Sequence, residues 1–278
     1  MDLEDYFHPT EVQAQVATAS WDAVAPRVER STRRILDLLD EHAVRATFFV
    51  LGWVAARRPK LVAEVAGRGH EIACHSFWHQ LVYHLTPSEF RADTEDARKA
   101  IEDAGGVSPR AYRAPSDSVT AASLWALDIL AELGFTHDSS VYPIVHDRYG
   151  IPGFPRHAHL RQTGGGPILE VPPATVRLSA RRVAPVGGGA YLRLFPYCYT
   201  AAGIRRLNED EGRPACIYVH PWEVDEDQPR LPLGALARLR TYTGLRGMHR
   251  KLDRLLTEFR FSSLAAVHPF PPPAQAAN

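Results

Sequence analysis

The chain has 278 residues, of which 45% are hydrophobic, with 32 basic and 32 acidic side chains. This composition is typical of a folded globular protein with one large domain or two small ones. The balanced charge excludes a general bias toward nucleic acid or an anionic membrane, so no nucleic-acid partner is expected. Because no run of 18 apolar residues is present and the N-terminus is acidic, we expect neither a transmembrane segment nor a signal peptide.

Three cysteines, Cys74, Cys198 and Cys216, form an odd set without C-x-x-C spacing. This pattern argues against a disulfide framework and favours a reducing compartment. We therefore predict a cytoplasmic location.

Helical periodicity and short apolar runs alternate along the first half of the chain. The predicted helices cover residues 28–39, 61–66, 86–105 and 123–133, and the strands that follow them cover residues 46–51, 70–74, 110–114 and 135–141. Thr86 and Glu89 have the spacing of a capping box, with Pro87 at the first helical position. This regular alternation predicts an α/β fold with a parallel sheet or barrel.

The second half is less regular. Residues 143–166 are rich in Pro, Gly, His and Arg and predict a long surface loop. The remaining predicted elements are a strand at 168–171, a glycine loop at 187–189, a helix at 200–208, a strand at 215–219, a basic amphipathic helical region at 236–259 and a disordered tail at 269–278. The helical region is interpreted as a packed terminal helix with a solvated face.

The stretch from Glu71 to His79 contains the first candidate site. His75 and His79 are four residues apart, and on one helical turn they would face the same way. They follow a predicted strand, where ligand sites of alternating βα folds collect. Because a catalytic zinc usually has three protein ligands, the missing ligand should be a carboxylate.

Further polar groups lie at the ends of other predicted strands. They are Asp2, Glu4, Asp5, Arg113, Asp138 and His220. In a strand, Asp2 and Glu4 would share one face. A bound metal would polarise a carbonyl, a spare carboxylate would accept a proton from water, and His220 would return a proton to the leaving group. The natural reaction is hydrolysis of an amide or ester.

Five stretches in this order resemble the motifs of polysaccharide deacetylases of the NodB-homology type, carbohydrate esterase family 4. They are 46–50, 69–72 with 75–79, 113–115, 138–140 and 219–220. The resemblance implies a deformed (β/α) barrel of about seven parallel strands, formed by a single domain over residues 1–268. It also implies a divalent metal cofactor, usually zinc.

A closer similarity is to a subgroup encoded with exopolysaccharide assembly genes. It rests on residues 2–7, 146–153, 187–189 and 220–223. The wider family has two adjacent Asp residues, base then ligand, and aligning that pair here makes Glu4 the base and Asp5 the ligand. Strand alternation instead makes Asp2 the base and Glu4 the ligand, and the sequence leaves both assignments open.

The resemblance also suggests supporting roles for two charged residues. Arg113 would orient the base carboxylate, and Asp138 would hold Arg113 or His220. Trp78, Tyr142 and Trp222 lie beside motif residues and are candidates for stacking on sugar rings.

The predicted function is a metal-dependent hydrolase that removes N- or O-linked acetyl groups from a polysaccharide or its precursor. An acetylated glycan is the expected substrate, with a possible peripheral contact to polysaccharide assembly machinery. The alternative on the same scaffold is an allantoinase-like hydrolase of small cyclic amides. A non-catalytic carbohydrate-binding relative ranks last, because His75, His79 and His220 are all present.

Overall fold

The computed structural model describes residues 1–179 and 182–270. Seven strands form one sheet in the order β1-β2-β3-β4-β5-β7-β6, and β8 and β9 form a separate hairpin. The strands are β1 (Asp2–Leu3), β2 (Thr47–Val50), β3 (Glu71–Cys74), β4 (Ala111–Tyr112), β5 (His137–Asp138), β6 (His159–Thr163), β7 (Gly166–Glu170), β8 (Thr175–Ser179) and β9 (Arg182–Pro185). Structure and sequence therefore agree on an α/β fold with a seven-stranded sheet.

One strand runs against the others, which corrects the prediction of a fully parallel sheet. β1 to β5 and β7 pair in parallel, whereas β6 pairs with β7 as an antiparallel hairpin. The prediction of a surface loop over residues 143–166 is thus wrong at its C-terminal end, which forms β6. The turn lies against α5: a Cβ at Gly165 would come within 2.1 Å of the carbonyl oxygen of Asp128.

The predicted strand at 215–219 is extended but forms no regular ladder. Its Val219 carbonyl accepts a hydrogen bond from Asp2 N at 3.1 Å, and its Cys216 carbonyl accepts one from Ala174 N at 2.9 Å. The segment therefore links β1 to the chain that follows β7. These two contacts connect the ends of the sheet in the manner of a deformed barrel.

Helices cover the sheet. They are α1 (Val28–Glu41), α2 (Gly52–Arg57), α3 (Pro59–Gly67), α4 (Pro87–Gly105), α5 (Trp125–Glu132), α6 (Gly189–Leu194), α7 (Tyr197–Arg205), α8 (Ala235–Tyr242), α9 (Leu245–Glu258) and α10 (Leu264–Val267). Shorter helical turns cover Thr18–Ala23, Val82–His84, Pro115–Asp117, Ala121–Ser123 and Pro221–Val224, with a π-turn at Arg206–Asp210.

Two helix ends show how the sequence sets these boundaries. The Thr86–Glu89 capping box is confirmed at the start of α4, which ends at Gly106 in the left-handed conformation. The predicted helical region at 236–259 is divided at Gly244, which has a φ of 82°. From residue 271 on, the predicted disordered tail lies outside the described residues.

The core forms because short buried strands pack against the apolar faces of the helices. All four residues of β2 are buried, as are Ile35, Leu36 and Leu39 of α1. No helix in the described part of the chain combines the length and apolarity needed to cross a membrane. With the core filled by apolar side chains, the polar groups that follow β1, β3, β4 and β5 collect at the carboxyl ends of the strands.

Candidate metal centre and active site

Glu4, His75 and His79 form a buried cluster of possible metal ligands. One ligand atom from each lies within 4.8 Å of the other two, and each residue is at most 2% exposed. The Nε2 atom of His79 lies 2.8 Å from Oε2 of Glu4. The structure thus brings the predicted histidine pair to a carboxylate that comes from a different strand.

The two histidines lie in the loop after β3 and not on a helix, so the helical-turn geometry predicted for them is wrong. Ser76 and His79 have φ values of 64° and 52°, which turn the loop tightly. Asp93 of α4 fixes it, because its carboxylate accepts hydrogen bonds from Phe77 N at 2.9 Å and Trp78 N at 3.1 Å. The loop backbone thereby holds both imidazoles toward Glu4.

The tautomer of His75 suits a metal ligand. Its Nδ1 lies 2.8 Å from the carbonyl oxygen of Arg113. Because a carbonyl oxygen can only accept a hydrogen bond, Nδ1 is the nitrogen that carries the proton. Burial lowers the pKa of His75 to about 4, and the ring is neutral at physiological pH. Its Nε2 lone pair is therefore available to a cation.

Glu4 completes the donor set. Burial alone would raise the pKa of its carboxyl group, but the neighbouring imidazoles, that of His79 above all, lower the pKa to about 2. Oε1 accepts a hydrogen bond from the indole Nε1 of Trp222 at 3.0 Å, which orients the carboxylate. Two imidazole nitrogens and one ionised carboxylate fit a divalent metal such as zinc and leave room for a further ligand.

Asp5, the other candidate ligand, faces away from this cluster. Oδ1 accepts a hydrogen bond from Tyr6 N at 2.8 Å, and Oδ2 accepts hydrogen bonds from Arg27 N at 2.7 Å and Val28 N at 2.9 Å. The carboxylate therefore caps the N-terminus of α1, where a negative charge is favourable. This position corrects the alternative in which Asp5 joins the two histidines.

Asp2 is held beside the cluster by Arg113. Nη1 of Arg113 donates to Oδ1 of Asp2 at 2.8 Å, and both side chains are 3% exposed. Burial would raise the pKa of Asp2, but the Arg113 guanidinium, together with smaller contributions from other neighbouring groups, keeps the pKa well below its usual range. Asp2 is therefore ionised, and its Oδ1 is held by the hydrogen bond from Arg113.

Arg113 is itself firmly placed. Its guanidinium lies between two aromatic rings, 4.3 Å from the Phe49 centroid and 4.8 Å from the Tyr218 centroid. Nε donates to the Ser139 carbonyl at 3.1 Å and Nη2 to the Ser139 hydroxyl at 2.8 Å. These contacts satisfy a buried cation that Asp2 alone would leave partly unpaired.

His220 lies on the opposite side of Asp2 and Glu4. Its Nε2 is 3.7 Å from Oδ2 of Asp2 and 3.8 Å from Oε1 of Glu4. Its Nδ1 is 2.9 Å from Oε2 of Glu223. Burial would lower the pKa of His220, but Glu223 more than offsets this effect, and the pKa rises to about 9. His220 is therefore cationic at neutral pH.

Glu223 is a residue of this site to which sequence reasoning assigned no role. Its Oε1 accepts from Nε of Arg193 at 2.5 Å, and the pair is fully buried. Gly189 is needed for this contact, since a Cβ there would lie 1.6 Å from Oε2 of Glu223. The available signal was the spacing of His220 and Glu223, which form a capping box in the structure.

Asp138 does not bond to either predicted partner. Its Oδ1 accepts from the Ser140 hydroxyl at 2.6 Å and its Oδ2 from Ser140 N at 3.0 Å. Its carboxyl group also shares a hydrogen bond with Glu170, a buried residue that the sequence reading missed. Burial, and then the charge of Asp138, raise the pKa of Glu170 well above its usual range. Asp138 thus belongs to a carboxyl pair behind Arg113, which corrects its predicted direct role.

The three candidate stacking residues differ in exposure. Trp78 is 37% exposed, whereas Tyr142 is fully buried and Trp222 is only 7% exposed. The Tyr142 hydroxyl donates a hydrogen bond to the Gly187 carbonyl, and the Trp222 indole donates one to Glu4. Among these three, only Trp78 presents much of its ring to a ligand.

A cavity of about 330 Å³ opens over this cluster. Its walls come from both halves of the chain and include Asp2, Glu4, His79, Arg113, Ser116, Asp117, Tyr149, Tyr191, Tyr218 and His220. The volume lies at the lower end of the range for small-molecule sites. The cavity thus brings two of the possible metal ligands, Glu4 and His79, together with an ionised carboxylate and a cationic histidine.

Comparison with known proteins relates the two halves of the chain to different families. Residues 10–137 match the family model for polysaccharide deacetylase, and residues 139–268 match a domain of unknown function, DUF3473. The hydrogen bonds between β5 and β7 join the two matched segments in one sheet.

Curated relatives match part of the chain. A chitooligosaccharide deacetylase of Bradyrhizobium sp. (strain ANU 289) is 36% identical over 101 residues, which cover 36% of this chain and 43% of the relative. A peptidoglycan-N-acetylglucosamine deacetylase of Bacillus cereus is 32% identical over 98 residues, which cover 35% of this chain and 36% of the relative. The chain therefore spans less than half the length of these relatives. Their names give no support to the cyclic-amide alternative.

A solved structure extends the likeness in fold. A Mycobacterium smegmatis protein described as a polysaccharide deacetylase superposes with a TM-score of 0.55 at 23% identity, covering 84% of this chain and 72% of that protein. At this identity the likeness concerns the fold alone. Residues 10–137 of the chain thus resemble polysaccharide deacetylases in sequence.

Proposed function

We propose that this protein is a metal-dependent hydrolase that removes acetyl groups from a glycan or its precursor. The observation that carries the proposal is the proximity of three groups: the Glu4–His75–His79 cluster, of which Glu4 and His79 line the cavity, Asp2 with Arg113, and His220 with Glu223. Each supplies a different requirement of acyl hydrolysis. The deacetylases that the chain resembles support the choice of an acetyl group.

Glu4, His75 and His79 are the proposed metal ligands. A divalent cation held by them, which we propose to be zinc, would supply Lewis acidity toward the acyl carbonyl. The neutral His75 and ionised Glu4 are in the protonation states that such binding requires.

Asp2 is the proposed general base. It is ionised and lies at the cavity wall, and the Arg113 contact fixes one of its oxygens while the other faces His220. In this role Asp2 accepts a proton from the attacking water. The position of Asp5 at the start of α1 favours this assignment over the one in which Glu4 is the base and Asp5 the ligand.

His220 is the proposed general acid. Glu223 keeps the ring protonated and points its Nε2 proton toward the cavity. That proton can pass to the departing sugar nitrogen or oxygen as the bond to the acetyl carbon breaks. Arg113 acts through Asp2, and Asp138 acts at a greater distance through the structure that surrounds Arg113.

We further propose that residues 1–268 work as one deacetylase domain, because the walls of the cavity come from both matched segments. The subgroup similarity favours an exopolysaccharide or its precursor as substrate and a peripheral contact with the assembly machinery. A cytoplasmic location stays a prediction; the three cysteines are free in the structure, which agrees with it.

The test measures metal content and acetate release together. Purified protein is loaded with zinc, the bound metal is quantified by inductively coupled plasma mass spectrometry, and acetate is measured after incubation with N-acetylated chitooligosaccharides, peptidoglycan and O-acetylated polysaccharides. We expect about one metal per chain, with acetate released from at least one glycan and lost on chelation. A metal-loaded protein that releases acetate from none of them would contradict the proposed function.

A further inference from the structure

Asp117 is a buried carboxyl group at the cavity wall that the proposed chemistry does not use. It is 4% exposed and lines the same cavity as Asp2 and His220. It lies in the short turn Pro115–Asp117 that follows Arg113, and both Ser116 and Asp117 have a φ near 50°. This backbone conformation is uncommon for residues with side chains.

The two oxygens of Asp117 are in different situations. Oδ2 accepts a hydrogen bond from the Tyr218 hydroxyl at 3.0 Å. Oδ1 is buried and has no hydrogen-bond partner among the described residues. Because an unpaired buried acceptor is unfavourable, such an atom beside a cavity needs a donor from outside the chain.

The surroundings indicate the chemical class of that donor. Arg113 places a positive charge near Asp117, although its guanidinium donates its hydrogen bonds to Asp2 and Ser139. The hydroxyls of Tyr149 and Tyr191, 3.3 Å apart, belong to the same cavity. A wall with neutral hydroxyls, aromatic rings and one free acceptor suits a sugar, whose hydroxyl groups donate and whose ring faces are apolar.

We propose that Asp117 is a substrate-binding residue whose free Oδ1 atom accepts a hydrogen bond from a hydroxyl group of the acetylated sugar unit. Tyr218 holds the other oxygen and so fixes the direction of the free one. This inference rests on the proposed glycan deacetylation and names a residue that selects for the sugar. This contact can form whether Asp117 is ionised or neutral, because a sugar hydroxyl can also accept a hydrogen bond from a neutral carboxyl group.

The test compares two substrates that both release an acetyl group, one with sugar hydroxyl groups and one without them. The kcat/KM values are measured for an N-acetylated chitooligosaccharide and for 4-nitrophenyl acetate, with wild type, Asp117→Ala and Asp117→Asn. The quantity of interest is the ratio of the two values, since general damage to the site lowers both. Asp225→Asn is the matched control, because Asp225 is also a buried carboxylate but lies outside the cavity, bound to Arg27.

We expect Asp117→Ala to lower the substrate ratio by about 10- to 100-fold, mainly through KM, which is typical for a lost hydrogen bond to a charged group. Asp117→Asn keeps the shape and one acceptor, so its ratio should fall less, by roughly tenfold. Asp225→Asn should keep the wild-type ratio. A ratio within twofold of wild type in Asp117→Asn overturns the proposal even if Asp117→Ala does not fold.

The wild-type rates separate this inference from the function on which it rests. If wild type hydrolyses 4-nitrophenyl acetate but no acetylated sugar, the glycan assignment fails and the inference fails with it. If wild type acts on the sugar and both Asp117 variants lose activity equally on the two substrates, the function stands and Asp117 has only a structural role.

Discussion

The imidazoles of His75 and His220 show how environment gives one residue type two different protonation states. His75 is buried beside Glu4 and His79 with its Nδ1 facing the Arg113 carbonyl, and burial lowers its pKa to about 4. His220 meets the buried Glu223 carboxylate, and its pKa rises to about 9. The first ring can offer a lone pair and the second can offer a proton. The sequence motifs point to both histidines, but the pKa of each ring is set by the groups that surround it in the fold.

Removal of His75 tests its proposed role as a metal ligand. His75→Ala should reduce metal affinity by more than about 100-fold and abolish acetate release. Loss of a residue that only hydrogen-bonds to a metal ligand typically costs about 10- to 100-fold in affinity, and loss of the ligand itself should cost more. Metal content and acetate release are measured in the same preparation. His249→Ala, on α9, is the control and should bind metal normally. Full metal occupancy in His75→Ala would refute the ligand assignment.

Removal of His220 tests its proposed role as the general acid and should leave the metal bound. His220→Ala should retain metal and lose turnover by about 10²- to 10⁴-fold, the usual contribution of a general acid. The kcat, the metal content and the melting temperature are all needed. A variant that is folded and loaded but keeps the wild-type rate on a glycan amide would remove His220 from the mechanism. A lower melting temperature with unchanged kcat would show a structural histidine.

Glu223 sharpens the comparison, because it is the group that makes His220 differ from His75. Glu223→Gln should lower kcat by about tenfold, since the amide no longer stabilises the cationic ring as the carboxylate does. In a protein that already carries His220→Ala, the same change should cost little further activity. Additive losses in the double variant would mean that Glu223 acts independently of His220.

The smallest expected effect concerns the carboxyl pair behind Arg113. Burial and the charge of Asp138 raise the pKa of Glu170, so the folded chain binds this proton more tightly than the unfolded chain. The resulting stability is fully present below the ordinary pKa of Glu, about 4.3, and is lost as the pH rises through the raised value. Glu170→Gln removes the titrating proton and should flatten the fall in melting temperature between pH 5 and pH 9. We expect a difference of a few degrees, at roughly 2–4 °C per kcal/mol in a chain of this size.

Thermal unfolding across that pH range checks this last prediction. Glu71→Gln is a comparison variant, because Glu71 also carries a carboxylate at the sheet but lies at the amino end of β3. An identical pH dependence in wild type and Glu170→Gln would show that the pair does not control stability in this range.

Short-range patterns predicted most of the framework. The capping box at Thr86 and the buried strand at Thr47–Val50 depend on residues within a few positions of each other, and both are confirmed. The order of the motifs also brought His75, Arg113 and His220 to one end of the sheet. These features could be predicted because secondary structure and strand-end placement follow from local spacing.

The partners of these groups could not be predicted in the same way. Glu223 meets Arg193, which is 30 residues away in sequence, and Asp138 meets Glu170, which is 32 residues away. Asp5 and Glu4 are adjacent and chemically alike, yet the chain bends after β1 and sends one carboxylate to α1 and the other to the histidines. Such choices depend on tertiary packing, which a single sequence does not display.

Arg113 contributes to two parts of the site through different atoms. Its carbonyl oxygen accepts a hydrogen bond from His75 Nδ1, and its guanidinium donates one to Asp2. The spacing between a metal ligand and the proposed base is therefore transmitted through the covalent geometry of one residue, which the rings of Phe49 and Tyr218 hold in place. The loops around the cavity can vary in sequence without changing this spacing. A designer who wished to change the substrate would therefore vary the cavity walls at residues 149 and 191 and leave β4 and its single arginine untouched.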